Sequence, residues 1–143
     1  MTVAEINGFP VTPRPLRTLF RPLGDAAQGM ATQQRFLEII SRNIANAETT
    51  RTAEGGAYRR QVGVVEQDAQ TGELVTRVVE DTRAGQSVYD PGHPDANEAG
   101  YVLRPNVDVT TEMVDLMLVR RVHEANVSVF QAAKSMLRRA LDI

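Results

Sequence analysis

The sequence predicts a mainly α chain with a small β insertion: long N- and C-terminal helices packed as a coiled-coil-like pair, and a short β-hairpin and loop region between them. Two observations carry this. Near each end, apolar residues recur at steps of three and four, the spacing that holds them on one side of a helix. Between the ends the period changes to short β-prone runs separated by turn residues. The 143 residues accordingly divide into an extended basic Pro-rich arm (1–22), an N-terminal helix (23–48), a β-hairpin and loop insertion (49–107) and a C-terminal helix (108–143), with the two helices forming one helical domain.

In the arm, Pro10, Pro13, Pro15 and Pro22 are interleaved with Arg14, Arg17 and Arg21. Proline fixes φ and lacks an N–H, so this composition resists helix and sheet alike. The first helix then follows the row Leu23, Ala26, Met30, Gln33, Leu37, Ile40, Ile44 and Ala47. Seven of these eight are apolar, where a chain that is 42% hydrophobic would place three or four by chance. About 25 residues make a rod of about 37 Å. Asn46 stands near its end, where an Asn can take the left-handed conformation that closes a helix.

In the insertion, Tyr58, Gln61, Val62, Val64 and Val65 form one β-prone run and Leu74 to Val79 another, with Thr71-Gly72 between them as turn chemistry. This pattern predicts a hairpin. Ser87-Val88-Tyr89 and Tyr101-Val102-Leu103 supply two further short strands around the turn formers Asp90-Pro91-Gly92-His93-Pro94. So small a segment rarely builds its own core, so it needs the helices or a neighbouring chain behind it.

The second helix follows Pro105, with Asp108 or Thr110 as N-cap and Glu112 in the first turn, where the helix dipole favours an acid. No Gly or Pro interrupts it before Leu141, and Arg138 and Arg139 occupy its last turn. One row runs through Val109, Met113, Leu116, Arg120, His123, Val127, Phe130, Lys134, Leu137 and Leu141. A second runs through Val119, Val122, Asn126, Val129, Ala133, Met136 and Ala140. Two rows make a face wider than a two-stranded seam, as a helix touching more than one neighbour requires.

Composition closes off several functions. A net charge of -2 favours neither nucleic acid nor an anionic membrane as partner. The charge is unevenly spread, since Glu66 to Glu98 carries eight acids against Arg77 and Arg83. The chain has no cysteine, hence no disulfide, thiolate metal site or thiol nucleophile. No apolar run approaches the roughly 20 residues needed to cross a bilayer, so direct membrane insertion is not expected, and the first ten residues lack the pattern of a cleaved secretory signal. There is no nucleophile elbow, phosphate-binding loop or dinucleotide fingerprint. His93-Pro94-Asp95 with Asp90 reads as a plain turn, because the other histidine, His123, lies on a distant helix. No catalysis, cofactor or metal is expected.

Two stretches carry a family resemblance. Ser41-Arg42-Asn43-Ile44-Ala45-Asn46-Ala47-Glu48-Thr49 resembles the N-terminal signature of the bacterial flagellar rod, hook and hook-filament proteins. The tail resembles that family's C-terminal helix: Pro105-Asn106-Val107-Asp108, Glu112-Met113-Val114, Arg121 with Glu124-Ala125-Asn126-Val127, and Lys134-Ser135-Met136-Leu137. Val88 to Ala96, followed by Gly100-Tyr101-Val102, is similar to the insertion of the family's short proximal rod members. The arm is longer than the family usually has, and His123 stands where it often has Tyr.

The resemblance implies a structural subunit of the basal-body rod, exported unfolded through the flagellar export apparatus without a cleaved signal, and polymerising through its terminal helices into a shaft that carries torque across the periplasm. The implied partners are copies of itself, other rod proteins, and the rod-to-ring junction. Combined with the apolar rows, it marks Leu23, Met30, Leu37, Ile40, Asn43, Ile44, Asn46, Met113, Leu116, Val127, Phe130, Met136, Leu137 and Leu141 as the assembly interface. An acid at Leu37 or Val127 is then expected to block assembly and leave the subunit soluble. The competing class is a soluble coiled-coil adaptor or export chaperone that binds a partner helix; such a protein would purify as a well-folded dimer, whereas a rod subunit would be monomeric with mobile terminal helices.

Overall fold

Two long helices dominate the chain, α1 over Arg17–Ala45 and α2 over Val109–Leu141. The computed structural model describes the backbone of residues 5–6, 9–10 and 17–141 and the side chains of residues 23–139. A two-residue strand pair, β1 (Glu5–Ile6) and β2 (Phe9–Pro10), precedes α1. Helix α1 therefore begins at Arg17, within the stretch whose prolines predict an extended arm to residue 22. Pro22 is the sixth residue of the helix, past its first turn, so α1 continues there without the bond that an N–H would have made to the Thr18 carbonyl. The rest of the predicted arm lies outside the described residues. At the other end α1 stops at Ala45, earlier than predicted, because Asn46 turns back on it. The Asn46 side-chain amide donates to the Arg42 carbonyl at 2.9 Å, and its own oxygen accepts from the Thr49 hydroxyl.

The insertion holds two antiparallel hairpins. Strands β3 (Gln61–Gln67) and β4 (Leu74–Glu80) pair in the register Val62 to Val79 and Val64 to Arg77. Their turn is held by Asp68, which accepts from the N–H groups of Gln70 and Thr71. Strands β5 (Ser87–Tyr89) and β6 (Tyr101–Leu103) pair through Val88 and Val102, and the rings of Tyr89 and Tyr101 meet edge to face at 5.2 Å. Asp108 is the N-cap of α2: its carboxylate accepts from the Thr110 N–H at 3.1 Å and the Thr111 hydroxyl at 2.6 Å. Those bonds, the Thr111 hydroxyl foremost, hold the Asp108 carboxyl below its ordinary pKa.

The helices lie antiparallel. Asn43 near the end of α1 bonds Glu112 at the start of α2, and Gln33 bonds Asn126 further along at 2.9 Å. Gly29 permits the close approach there, since a Cβ on it would stand 3.1 Å from the Asn126 amide. On its other side α1 receives the β3–β4 hairpin, where a Cβ on Gly63 would lie 2.6 Å from the Phe36 ring. The order of layers is thus hairpin, α1, α2. Among the described residues neither β3 nor β4 touches α2.

The core is thin. Among the described residues the buried apolar side chains are Ala26, Ile39, Ile40 and Val102. Many large apolar side chains of the described residues, Leu118, Val129 and Met136 among them, are instead exposed.

Candidate functional site

The best-buried side chains are polar. Asn43 and Glu112 are 1% and 0% exposed, and together they tie three elements into one knot. The Asn43 amide donates to the Gln61 carbonyl at 2.8 Å and to Glu112 Oε2 at 3.2 Å. Its Oδ1 accepts from the Gln61 N–H at 2.9 Å and the Tyr58 hydroxyl at 3.0 Å. Every hydrogen-bonding site of this one amide is engaged or close to it, as a buried polar group requires. Burial, offset in part by Arg42, raises the Tyr58 phenol above its usual pKa and keeps it the donor. Glu112 Oε1 accepts from Arg60 Nε, and the Arg60 backbone N–H donates to Asn106 Oδ1 at 2.7 Å. Asn106 in turn donates to the Arg83 carbonyl at 2.9 Å. The start of β3, the end of α1 and the first turn of α2 are therefore fixed to each other by charge-assisted bonds.

This placement changes the reading of two predicted interface residues. Asn43 and Ile40 lie inside the subunit, Asn43 in the knot and Ile40 in the core, so neither offers a surface to a neighbour. Asn46 closes α1. Leu23, Met30, Leu37 and Ile44 are half-buried on α1.

On α2, the bond from Asn126 to Gln33 sets the phase of the inward side. Stepping from it by three and four, Leu116, Val119, His123, Phe130, Ala133 and Leu137 are all half-buried, and Val127 beside Asn126 is too. The inward seam thus borrows members from both rows read in the sequence. Periodicity identifies rows but not the face turned to the partner helix. Arg120 and Lys134, which interrupted the first row, are exposed, and so is Met113. Leu141 ends α2, and its side chain lies outside the described residues.

The opposite side of α2 carries Val114, Leu118, Val122, Ala125, Val129, Ala132 and Met136 in uninterrupted steps of three and four. Its five large members are between 39% and 69% exposed. Single exposed apolar side chains are ordinary, but a continuous row over most of a 33-residue helix is not. Val122, Val129 and Met136 belong to the second predicted row; Val114 and Leu118 share their face but fall outside a row that begins at Val119.

The remaining candidates fall to other duties. The Asp95 carboxylate is taken by the Thr50 hydroxyl at 2.7 Å and by Arg51, and the Asp95 N–H donates to His93 Nδ1. A cleft of about 750 Å³ is lined by Arg60, Arg83, Arg104, Asn106 and Asp108 among others. Arg60 there is paired with Glu112, and Arg83 with Asp81, whose carboxyl the Arg83 guanidinium lowers from 3.8 to about 2. Among the described residues no helix is long and apolar enough to cross a membrane.

The two ends of this architecture coincide with two family models. Residues 25–61, which take in most of α1 and the loop to the knot, match the model described as flagella basal body rod protein. Residues 98–143, covering β6 and α2, match the flagellar basal body rod FlgEFG protein C-terminal model. The flagellar basal-body rod protein FlgC of Bacillus subtilis is 36% identical, over 88% of this chain and 98% of its own length. FlgC of Borreliella burgdorferi is 35% identical over 87% of the chain and 97% of its own length. FlgC of Salmonella typhimurium is 36% identical over 82% and 92%. With the signature Asn43 and the α2 segment holding one another inside the fold, and relatives aligned along most of the chain, the chain belongs to the FlgC family of flagellar basal-body rod proteins and is a structural rod subunit, not an enzyme.

Proposed function

We propose that this rod subunit polymerises by burying the outer face of α2, from Val114 to Met136, against neighbouring chains. The observation that carries the reading is that apolar row, whose five large members are between 39% and 69% exposed. Exposed Met113 and Met136 belong to the contact, and the half-buried Leu23, Met30, Leu37, Ile44, Leu116, Val127, Phe130 and Leu137 pack α1 on α2 in a coiled-coil-like seam and give their remaining surface to neighbours. Asn43, Ile40 and Asn46 act from within by holding the helices in register.

In this reading the subunit sits in the proximal rod, in contact with copies of itself, other rod proteins and the rod-to-ring junction, and transmits torque across the periplasm. Contacts that do not close on themselves build such a shaft, because a head-to-tail interface generates a ring or helix instead of a dimer. The chain reaches that place through the flagellar export apparatus; the lack of cysteine suits export of an unfolded chain. Deleting the gene is expected to abolish motility and leave basal bodies whose rods are incomplete under electron microscopy. Complete rods in the deletion strain would overturn the proposal.

A further inference from the structure

Among the described residues, His123 Nδ1 is the buried side-chain atom left without a hydrogen-bond partner. The ring belongs to the inward side of α2, one turn from Asn126, whose amide bonds Gln33 of α1. The helices run antiparallel, so the inward positions of α1 level with the ring follow Gln33 toward Asn43, and by steps of four and three they are Leu37 and Ile40. This seam offers the ring no carboxylate. On α1 the charged residues of that stretch, Arg35 and Glu38, are exposed and bonded to each other at 3.0 Å, and Arg42 is exposed and bonded to Gln61. On α2 the neighbouring Arg120, Arg121 and Glu124 are exposed. Arg120 stands three residues before His123, beside it on the helix surface, with the sign that a charged imidazole would have. The β3–β4 hairpin adds no group, because it does not touch α2.

A neutral imidazole has one N–H and one bare nitrogen. A proton on Nδ1 here is a buried donor with nothing to accept it, so the neutral ring carries its proton on Nε2. A doubly protonated ring brings that unanswered donor and a full charge between apolar side chains, which is costly unless the charge is paired. The unfolded chain has no such restriction, since a histidine in water takes up its proton at about pH 6.5.

We propose that His123 makes the pairing of α1 with α2 acid-sensitive, so that mild acid opens the seam of the free subunit and neutral pH closes it. The protons bound in each state set the direction. Between about pH 7.5 and about pH 5.5 the unfolded chain gains a proton at His123 that the closed seam refuses, so stability is full at the upper end and falls toward the lower by about tenfold in the unfolding equilibrium. The carboxyls held below their ordinary pKa, Asp68, Asp81 and Asp108, lose their contribution only as the pH falls through the carboxylate range at about 4, below this window. This property belongs to the free subunit and does not depend on which neighbours cover the outer row of α2.

The other histidine, His93, accepts the Asp95 N–H on its Nδ1 and shares a small pocket with Glu48, Asp90 and Arg104, so it is tested separately. Urea unfolding of the purified full chain at about pH 7.5 and about pH 5.5 is expected to show the tenfold weakening for the unmodified chain and for His93→Gln, and less than about twofold for His123→Phe, whose ring takes no proton. An unmodified chain whose stability is level across this range, or a His123→Phe chain that keeps the full pH dependence, overturns the proposal. The His93→Gln chain supplies a second reading that leaves the seam untouched, because His123 is then its sole histidine. Its ring-proton NMR signals are expected to stay those of a neutral imidazole in the folded chain down to about pH 5.5, whereas a folded-state ring half charged at about pH 6.5 overturns the proposal.

Discussion

Glu112→Ala is expected to destabilise the free subunit by about 3 kcal/mol, which is a large part of the stability a domain of this size has to lose. Glu112 is fully buried, and its carboxylate answers both the Arg60 guanidinium and the Asn43 amide. Removing it leaves the Arg60 charge, only 21% exposed as a side chain, with Asp115 at 3.6 Å as its remaining carboxylate. It also leaves one Asn43 donor contact unmade. Breaking one side of a buried pair costs more than the pair itself contributes, since the surviving charge stays desolvated. Glu112→Gln should recover part of the loss, because its amide oxygen can still accept from Arg60. Urea denaturation of the purified subunit checks this; a loss below about 1 kcal/mol for the alanine variant would show that the knot contributes no more than an ordinary surface contact.

Val129→Asp should behave in the opposite way, with little effect on the free chain and a large one on assembly. Val129 is 55% exposed on the outer side of α2, so an acid there stays hydrated in the monomer and shifts its stability by about 0.5 kcal/mol or less. In a covered contact the same carboxylate is stripped of water without a partner, at a cost of about 3 kcal/mol or more, roughly a hundredfold in the contact equilibrium. Motility and recovery of the chain with basal bodies are expected to fall to background while circular dichroism of the free subunit is unchanged. Val127→Asp is a different experiment. The sequence predicts that it leaves the subunit soluble, but Val127 is half-buried beside the Asn126–Gln33 bond, so the acid is expected to separate α1 from α2 and unfold the pair. Leu37→Asp is expected to act likewise.

What the amino-acid pattern made legible, and what it hid, follows from the range of the interactions involved. Helix α2 could be read almost to its ends because its signals are local: Pro105 before it, Asp108 capping it, and no Gly or Pro along its length. The hairpin could be read for the same reason, since valine-rich runs flank Thr71-Gly72. The start of α1 is less legible, because the prolines that predict an arm to residue 22 give no local signal for the helical turns from Arg17. The knot was invisible. Glu112 reads locally as a first-turn acid, and its partners Arg60 and Asn43 lie 52 and 69 residues away in sequence. Asn43 was singled out through its place in the family signature, yet its role as an internal clasp came only from the fold. The facing of α2 was hidden for a related reason: two apolar rows are equivalent until the bond between Gln33 and Asn126 fixes which side is turned to α1.

The central claim is that the outer row of α2 is in water in the free subunit and covered in the rod. Leu118→Cys, 60% exposed in the free chain and unique as a thiol, reports on it when labelled with a maleimide first in the purified subunit and then in intact basal bodies. The account predicts rapid labelling of the free subunit and at least tenfold slower labelling after assembly. Equal rates in the two states, in basal bodies that carry the chain, would contradict it.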